Sequence, residues 1–246
     1  MKANKWISFE QGNNAAKLHI IAFPFAGGTA NIYKDLFNNN LYSNIKITGI
    51  DIPGHGKRIR ENRYTKIDLL IKKMITDLDC LYEENIVLMG YSLGGILAYE
   101  LANYWQNNNK FIKAMIIIAR VPPHLNANEE KRGSYDRLKM KNSVIQLGGV
   151  PSEVIEENEL FDFYLDILED DFKLVDSYKN NSTLYSKYPI IAYGGLEDKE
   201  AKFIDLCEWD MYTSNFKIRI FEGDHFFLEK NKDVIAKQIM NDLSKL

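Results

Sequence analysis

Residues 88–102 read LMGYSLGGILAYELA. The run NIVLMG (85–90) is apolar, and a helical pattern follows at once over 93–107. One hydroxyl, Ser92, stands at the junction, with Gly90 two residues before it and Gly94 two residues after. Gly-x-Ser-x-Gly between a buried strand and a helix is the nucleophile elbow, a tight turn that exposes the serine Oγ above the edge of a sheet. Side chains two positions either side of the serine would collide with the neighbouring strand and helix, and glycine also accepts the backbone angles. The same turn aims the Leu93 N–H, at the N-terminus of the helix, towards the place where an oxyanion would develop. A serine N-cap beside a glycine turn would explain the pentapeptide alone. The strand before it and the helix after it favour the elbow.

The rest of the chain alternates in the same way. Short apolar runs recur at 17–23 (KLHIIAF), 45–50 (IKITGI), 85–90, 112–119 (IKAMIIIA), 188–194 (YPIIAYG) and 216–221 (FKIRIF). Most are rich in Ile and bounded by Gly, Pro or Asn, as strands are. IIAF, IVLM and MIIIA are apolar throughout, which fits parallel strands buried on both faces. Helical patterns lie between them over 66–83, 93–107, 200–213 and 229–245. The fold class is α/β, with a mainly parallel central sheet flanked by helices. The rhythm breaks between Arg120 and Asn181, where ENELFDFYLDILEDDFKLVDSY (157–178) carries apolar residues at helical spacing. One domain over 1–246 is expected, with a helical insertion over 120–180. The Asn runs at 38–40 and 107–109 read as turns.

Composition excludes several functions. The chain has 246 residues, 46% hydrophobic and 26% charged, with a net charge of -3. Neither nucleic acid nor an anionic membrane is an expected partner. Two cysteines, Cys80 and Cys207, make no disulfide framework. MKANKWISFEQGNN lacks the apolar core of a signal peptide, and no run approaches the roughly 20 apolar residues of a membrane span. A cytoplasmic protein is expected.

A serine needs a base, itself oriented by an acid, and in this fold the chain order is Ser, acid, His. Of four histidines, His19 lies inside a strand, while His55 (DIPGHGKR) and His124 (RVPPHLN) lie on loops. His225, in FEGDHFFLE, directly follows the last strand, where the base belongs. YPIIAYGGLEDKEA puts two carboxylates, Glu197 and Asp198, just past an earlier strand. Asp198 is favoured and Glu197 is its close rival. Asp224 adjoins His225, but a sequence neighbour seldom faces it correctly. The acidic residues of 156–171 read as a solvated helix face. FPFAGGTAN (23–31) follows the first strong strand, and a loop there supplies the second oxyanion donor in this fold. Its small residues Ala26, Gly27 and Gly28 allow close approach to a substrate carbonyl.

FPFAGGTANIY, DIPGHGKR, GYSLGGILAYELA, YGGLEDKEA and GDHFFLE, in this order and spacing, resemble the type II thioesterases of nonribosomal peptide and polyketide synthases. These belong to the α/β-hydrolase group, as do the separate thioesterases of fatty acid synthesis. LGGVPSEVIEENELFDFYLDILEDDFKLVDSY (147–178) resembles the family's lid. The resemblance spans about residues 17 to 230. It implies Ser92 as nucleophile, Asp198 as acid and His225 as base, with the N–H groups of Ala26 and Leu93 as the oxyanion hole. The family often has His where this chain has Phe25 and Tyr91. Both are expected at the pocket mouth and bear on substrate choice. Phe163 and Tyr164 of the lid, with Phe161, are expected to shield the acyl chain or to pack the lid on the core.

The resemblance implies hydrolysis of acyl or aminoacyl groups carried on the phosphopantetheine of acyl or peptidyl carrier protein domains. It calls for no cofactor of the enzyme's own, and a monomer is expected. A small-molecule carboxylesterase or lipase and a medium-chain thioesterase of fatty acid synthesis would use the same triad. A non-catalytic hydrolase-like binding protein would lack part of the triad, and all three residue types are present.

Overall fold

The expected apolar runs become β2 (Leu18–Phe23), β3 (Ile45–Ile50), β4 (Ile86–Tyr91), β5 (Ala114–Ile118), β6 (Ile190–Gly195) and β7 (Phe216–Phe221) in the computed structural model. It describes residues 4–13, 15–34, 36, 44–128, 130–179 and 185–246, so the Asn run at 38–40 lies outside it. Neighbours in the order β3-β2-β4-β5-β6-β7 pair in parallel. Every residue of β4 and β5 is buried, as unbroken apolar strands require. A further strand, β1 (Ile7–Gly12), pairs antiparallel with β3 at the edge. Its sequence ISFEQG alternates and carries Glu10 and Gln11, because an edge strand with one solvated face need not be apolar throughout. That pattern is too weak to mark a strand in the sequence alone.

Helix α1 (Ile67–Leu78) and helix α2 (Leu93–Asn107) follow the expected spans closely. The span at 200–213 is only one short helix, α6 (Phe203–Cys207), continued by a 3-10 turn to Tyr212. The C-terminal span splits into α7 (Phe227–Lys230) and α8 (Lys232–Leu243). Asn231 makes the break: its amide donates to the carbonyls of Phe227 at 2.8 Å and Glu222 at 2.9 Å.

Between β5 and β6 lie α3 (Arg137–Leu147), α4 (Ser152–Glu156) and α5 (Asn158–Ser177). The Asp136 carboxylate caps α3 by accepting the Lys139 N–H at 2.8 Å. Phe161, Leu165 and Leu168 of α5 pack on Met140 and Val144 of α3, giving this insertion a small core of its own. The far end of α5 is tied to the body. Arg63 pairs with Asp170 at 2.7 Å, and the Ser177 hydroxyl accepts the Ile67 N–H at 3.0 Å. No helix among the described residues is long and apolar enough to cross a membrane.

Strand β2 sits between β3 and β4, so the chain leaves β2 in one direction across the sheet and β4 in the other. The loops after these two strands diverge at a topological switch point, where open α/β sheets form their binding crevices. The strands that carry the remaining candidate residues, β6 and β7, are fastened to α8 by Asp242. This fully buried carboxylate accepts from Tyr193 Oη at 2.8 Å, Gln238 Nε2 at 3.0 Å, and the Arg219 fork at 2.5 and 3.0 Å.

Asp242→Ala should therefore lower the free energy of unfolding by about 2 kcal/mol, measured by urea titration. Breaking a buried pair costs about 3–5 kcal/mol, and Arg219, a third exposed, recovers part of that by turning to water.

Candidate active site

The turn after β4 holds Ser92 at φ 50°, ψ -114°, a conformation in which a non-glycine residue is strained. Two hydrogen bonds fix it: the Ser92 N–H donates to Ile118 O at 2.9 Å, and the Ser92 carbonyl accepts from Gly95 at 2.8 Å. The flanking glycines are required by space. A Cβ on Gly90 would lie 2.2 Å from the Gly94 carbonyl oxygen, and one on Gly94 would lie 2.1 Å from that of Phe23. Leu93 is the first residue of α2, so its N–H has no acceptor inside the helix.

Across the switch point, Phe25 and Ala26 line the same cavity as Ser92. The loop is tight: Gly28 donates to Phe25 O at 2.9 Å, and Gly27 adopts φ +74°. Among the described residues the Ala26 N–H finds no acceptor, whereas the Gly27 N–H donates to Asp171 Oδ2 of α5 at 2.6 Å.

His225 lies between β7 and α7, and its Nδ1 is 2.9 Å from Asp198 Oδ2. The other oxygen of Asp198 accepts the N–H groups of Glu200 at 2.8 Å and Ala201 at 3.1 Å. Burial works against the charge on Asp198. The His225 hydrogen bond and charge and the two backbone donors outweigh it and hold the carboxyl below its ordinary pKa. The neighbouring carboxylates point elsewhere. Exposed Glu197 accepts the Gly223 N–H at 2.5 Å, and Asp224 accepts the Phe226 N–H at 2.9 Å. Ser92 and His225 open on one cavity without a hydrogen bond between them; such contacts often tighten only when substrate is bound.

The cavity, about 80 Å³, lies between the sheet edge and the lid. Val144, Leu147, Val150, Tyr164, Leu168 and Phe172 form its lid side. Glu130, Arg132, Asp176 and Glu200 form a charged end, with Arg132 forked onto Glu200 at 2.6 and 2.8 Å. Ala119, at the end of β5, meets the cavity with φ +47°, a second strained residue that no local sequence signal marks.

Two expectations about the lining need correction, those for Phe163 and Tyr91, and the alternatives left open for Phe161 are decided. Phe163 is 48% exposed and takes no part in the cavity wall, because one step along α5 turns a side chain by about 100° and Tyr164 is the one that faces inward. For Phe161 the packing alternative holds: it is buried in the lid's own core. Tyr91 is also buried, and lies behind the site rather than at its mouth. Its hydroxyl donates to the His225 carbonyl and its ring meets Phe25 edge-on at 5.2 Å, so it supports the histidine loop.

The acidic stretch of α5 is not wholly a solvated face either. Asp171 is 1% exposed, and its Oδ2 lies 2.9 Å from Nε2 of His55, itself 2% exposed. Its spacing from Leu168 and Leu174 put it on the apolar stripe, a signal present in the sequence. Both ring nitrogens of His55 face acceptors, the second being Pro53 O at 3.3 Å, which a protonated ring satisfies. The remaining histidines lie elsewhere: His19 bonds Thr48 at 2.7 Å, and His124 bonds Tyr212 at 2.9 Å and Glu208 at 2.7 Å.

Burial opposes the charge on His55. The charge and hydrogen bond of Asp171, the Pro53 carbonyl and the charge of Asp51 outweigh it and raise the pKa. A raised folded-state pKa stabilises fully below the unfolded value of about 6.5 and is lost as pH rises through the folded value. The melting-temperature gap between the native chain and His55→Gln should thus be widest near pH 6 and narrow towards pH 9.

The family model described as thioesterase domain matches residues 18–243. Gramicidin S biosynthesis protein GrsT of Aneurinibacillus migulanus is 25% identical over 233 residues, covering 94% of this chain and 91% of GrsT. Thioesterase PikA5 of Streptomyces venezuelae is 24% identical over 242 residues, covering 97% and 85%. Among solved structures, the type II thioesterase BorB from the borrelidin biosynthetic cluster matches with a TM-score of 0.86 at 22% identity, covering 99% of each chain. The fold is that of the α/β-hydrolases.

Proposed function

The chain belongs to the thioesterase family, and we propose that it releases acyl or aminoacyl units by hydrolysis from the phosphopantetheine thiol of carrier-protein domains. In this reading it clears misprimed or stalled units from a nonribosomal peptide or polyketide synthase, working as a monomer in the cytoplasm. The tie of GrsT to gramicidin S biosynthesis supports the assembly-line context. The observation that carries the reading is the convergence of Ser92 and an Asp198-held His225 on one lidded cavity.

The chemistry follows from the positions. His225 takes the Ser92 proton through Nε2 as Oγ attacks the thioester carbonyl, and Asp198 keeps the imidazole oriented and stabilises its charge. The Ala26 and Leu93 N–H groups receive the oxyanion. The pantetheine thiolate leaves with the proton from His225, and water activated by the same ring frees the acid.

The test is intact-mass analysis of one carrier protein loaded with varied acyl groups, beside the same acyl group as a coenzyme A thioester and an oxygen ester. The carrier-bound thioester should be the preferred substrate; equal or faster cleavage of the oxygen ester would overturn the proposal. Ser92→Ala should cost about 10⁴-fold or more in rate. Asp198→Asn should cost about 10⁴-fold by favouring the wrong histidine tautomer, while Glu197→Gln stays within a few-fold.

Specificity should divide two adjacent aromatics. Tyr164→Ala should change the ratio of rates for long and short acyl chains, and Phe163→Ala should leave that ratio unchanged. Competition between two loaded carriers measures it directly.

A further inference from the structure

We infer that the buried Asp171–His55 pair is a positioning clasp for the oxyanion loop, fixing the peptide after Ala26 so that the Ala26 N–H stands ready for the substrate oxygen. The inference rests on the proposed roles of Ser92 and Ala26. Three segments meet at the clasp: the loop after β2, the loop after β3 and lid helix α5. Asp171 Oδ2 takes both the Gly27 N–H at 2.6 Å and His55 Nε2 at 2.9 Å. A carboxylate this deeply buried is tolerable only when charge-paired and hydrogen-bonded, so its position is tightly defined. The lid closes directly over Gly27. A Cβ there would already lie 2.7 Å from both Leu168 Cδ2 and Tyr164 Oη.

The other end of the loop is pinned in the same way. Asp51, also buried, accepts the Ala30 N–H at 2.9 Å and the Lys57 N–H at 3.1 Å. The loop is thus strapped at 27 and at 30, and the first strap is anchored on the lid. Seating α5 and setting the oxyanion donor become one event: with the lid in place, Ala26 is held in advance of the reaction, which is what makes such a donor effective. His55 acts through Asp171 and touches no reacting atom.

The experiment compares two inhibitors. An acyl-pantetheine trifluoromethyl ketone is attacked by Ser92 to give a tetrahedral oxyanion, whereas the matching acyl amide imitates only the bound substrate. For Asp171→Asn and His55→Gln, affinity for the ketone should fall by about 10–100-fold, below the 10²–10³-fold of losing a donor outright. Affinity for the amide should change less than about threefold, and kcat should fall with KM nearly unchanged. Equal losses for both inhibitors would show mere packing and overturn the clasp. So would unchanged ketone binding in variants whose parent forms the Ser92 adduct. A parent that forms no adduct on Ser92 by mass spectrometry would overturn the proposed nucleophile, and the clasp with it. If neither variant folds, amide resonances of the native chain decide. Adduct formation should shift the Ala26 and Leu93 protons downfield and leave that of Gly27, already committed to Asp171, in place. A shift of Gly27 in their stead would overturn the inference.

Discussion

The active site depends on how closely α2 approaches the end of β2. With the Gly94 Cα so near the Phe23 carbonyl that a Cβ would be 2.1 Å from it, no other residue fits at that crossing. The approach brings the N-terminus of α2 to the switch point and leaves its first N–H beside the loop of Ala26. It also forces Ser92 into a conformation costing on the order of 1–3 kcal/mol. Such strain persists only where its surroundings over-determine it. Here α2 supplies the hold: Ile96, Leu97, Tyr99, Leu101 and Trp105 are all buried. A helix buried on nearly every side cannot slide outward to relax the turn before it.

The sequence made this part of the molecule legible because its constraints are local. Two glycines, one hydroxyl, an unbroken apolar strand and an abrupt change of period all fall within a few residues. The ends of β6 and β7 were legible for the same reason, since a polar residue just past an apolar strand has few places to go. Within that loop, however, Glu197 and Asp198 could be ranked but not separated. The choice depends on which carboxylate the turn aims at His225 and which at the Gly223 N–H.

What escaped the sequence depends on contacts between distant segments. The stripe of α5 names Tyr164 and Phe163 alike as aromatic, and only its packing on α3 and Gly27 fixes which one meets the cavity. Tyr91 follows an apolar run and precedes the serine, a place that by itself suits a wall of the pocket. The histidine loop lies over it and takes its hydroxyl. Asp171 sat among seven other acidic residues in 156–171, and nothing nearby announced that its partner is His55, 116 positions away.

Two histidine–carboxylate pairs lie close to this cavity, and the comparison explains why one is suited to proton transfer and the other is not. In each, a buried Asp accepts from an imidazole at 2.9 Å. His55 gives its Nε2 to Asp171, turns Nδ1 to the Pro53 carbonyl and is sealed from solvent, so no lone pair is left for a hydroxyl. His225 gives Nδ1 to Asp198, and among the described residues its Nε2 finds no partner. Its side chain is 12% exposed, lining the cavity shared with Ser92. The same side-chain chemistry thus yields a fixed strut where both nitrogens are engaged and a proton carrier where one is left open. The deciding variable is whether the second ring nitrogen is engaged: the Pro53 carbonyl takes that of His55, and that of His225 is left to the cavity.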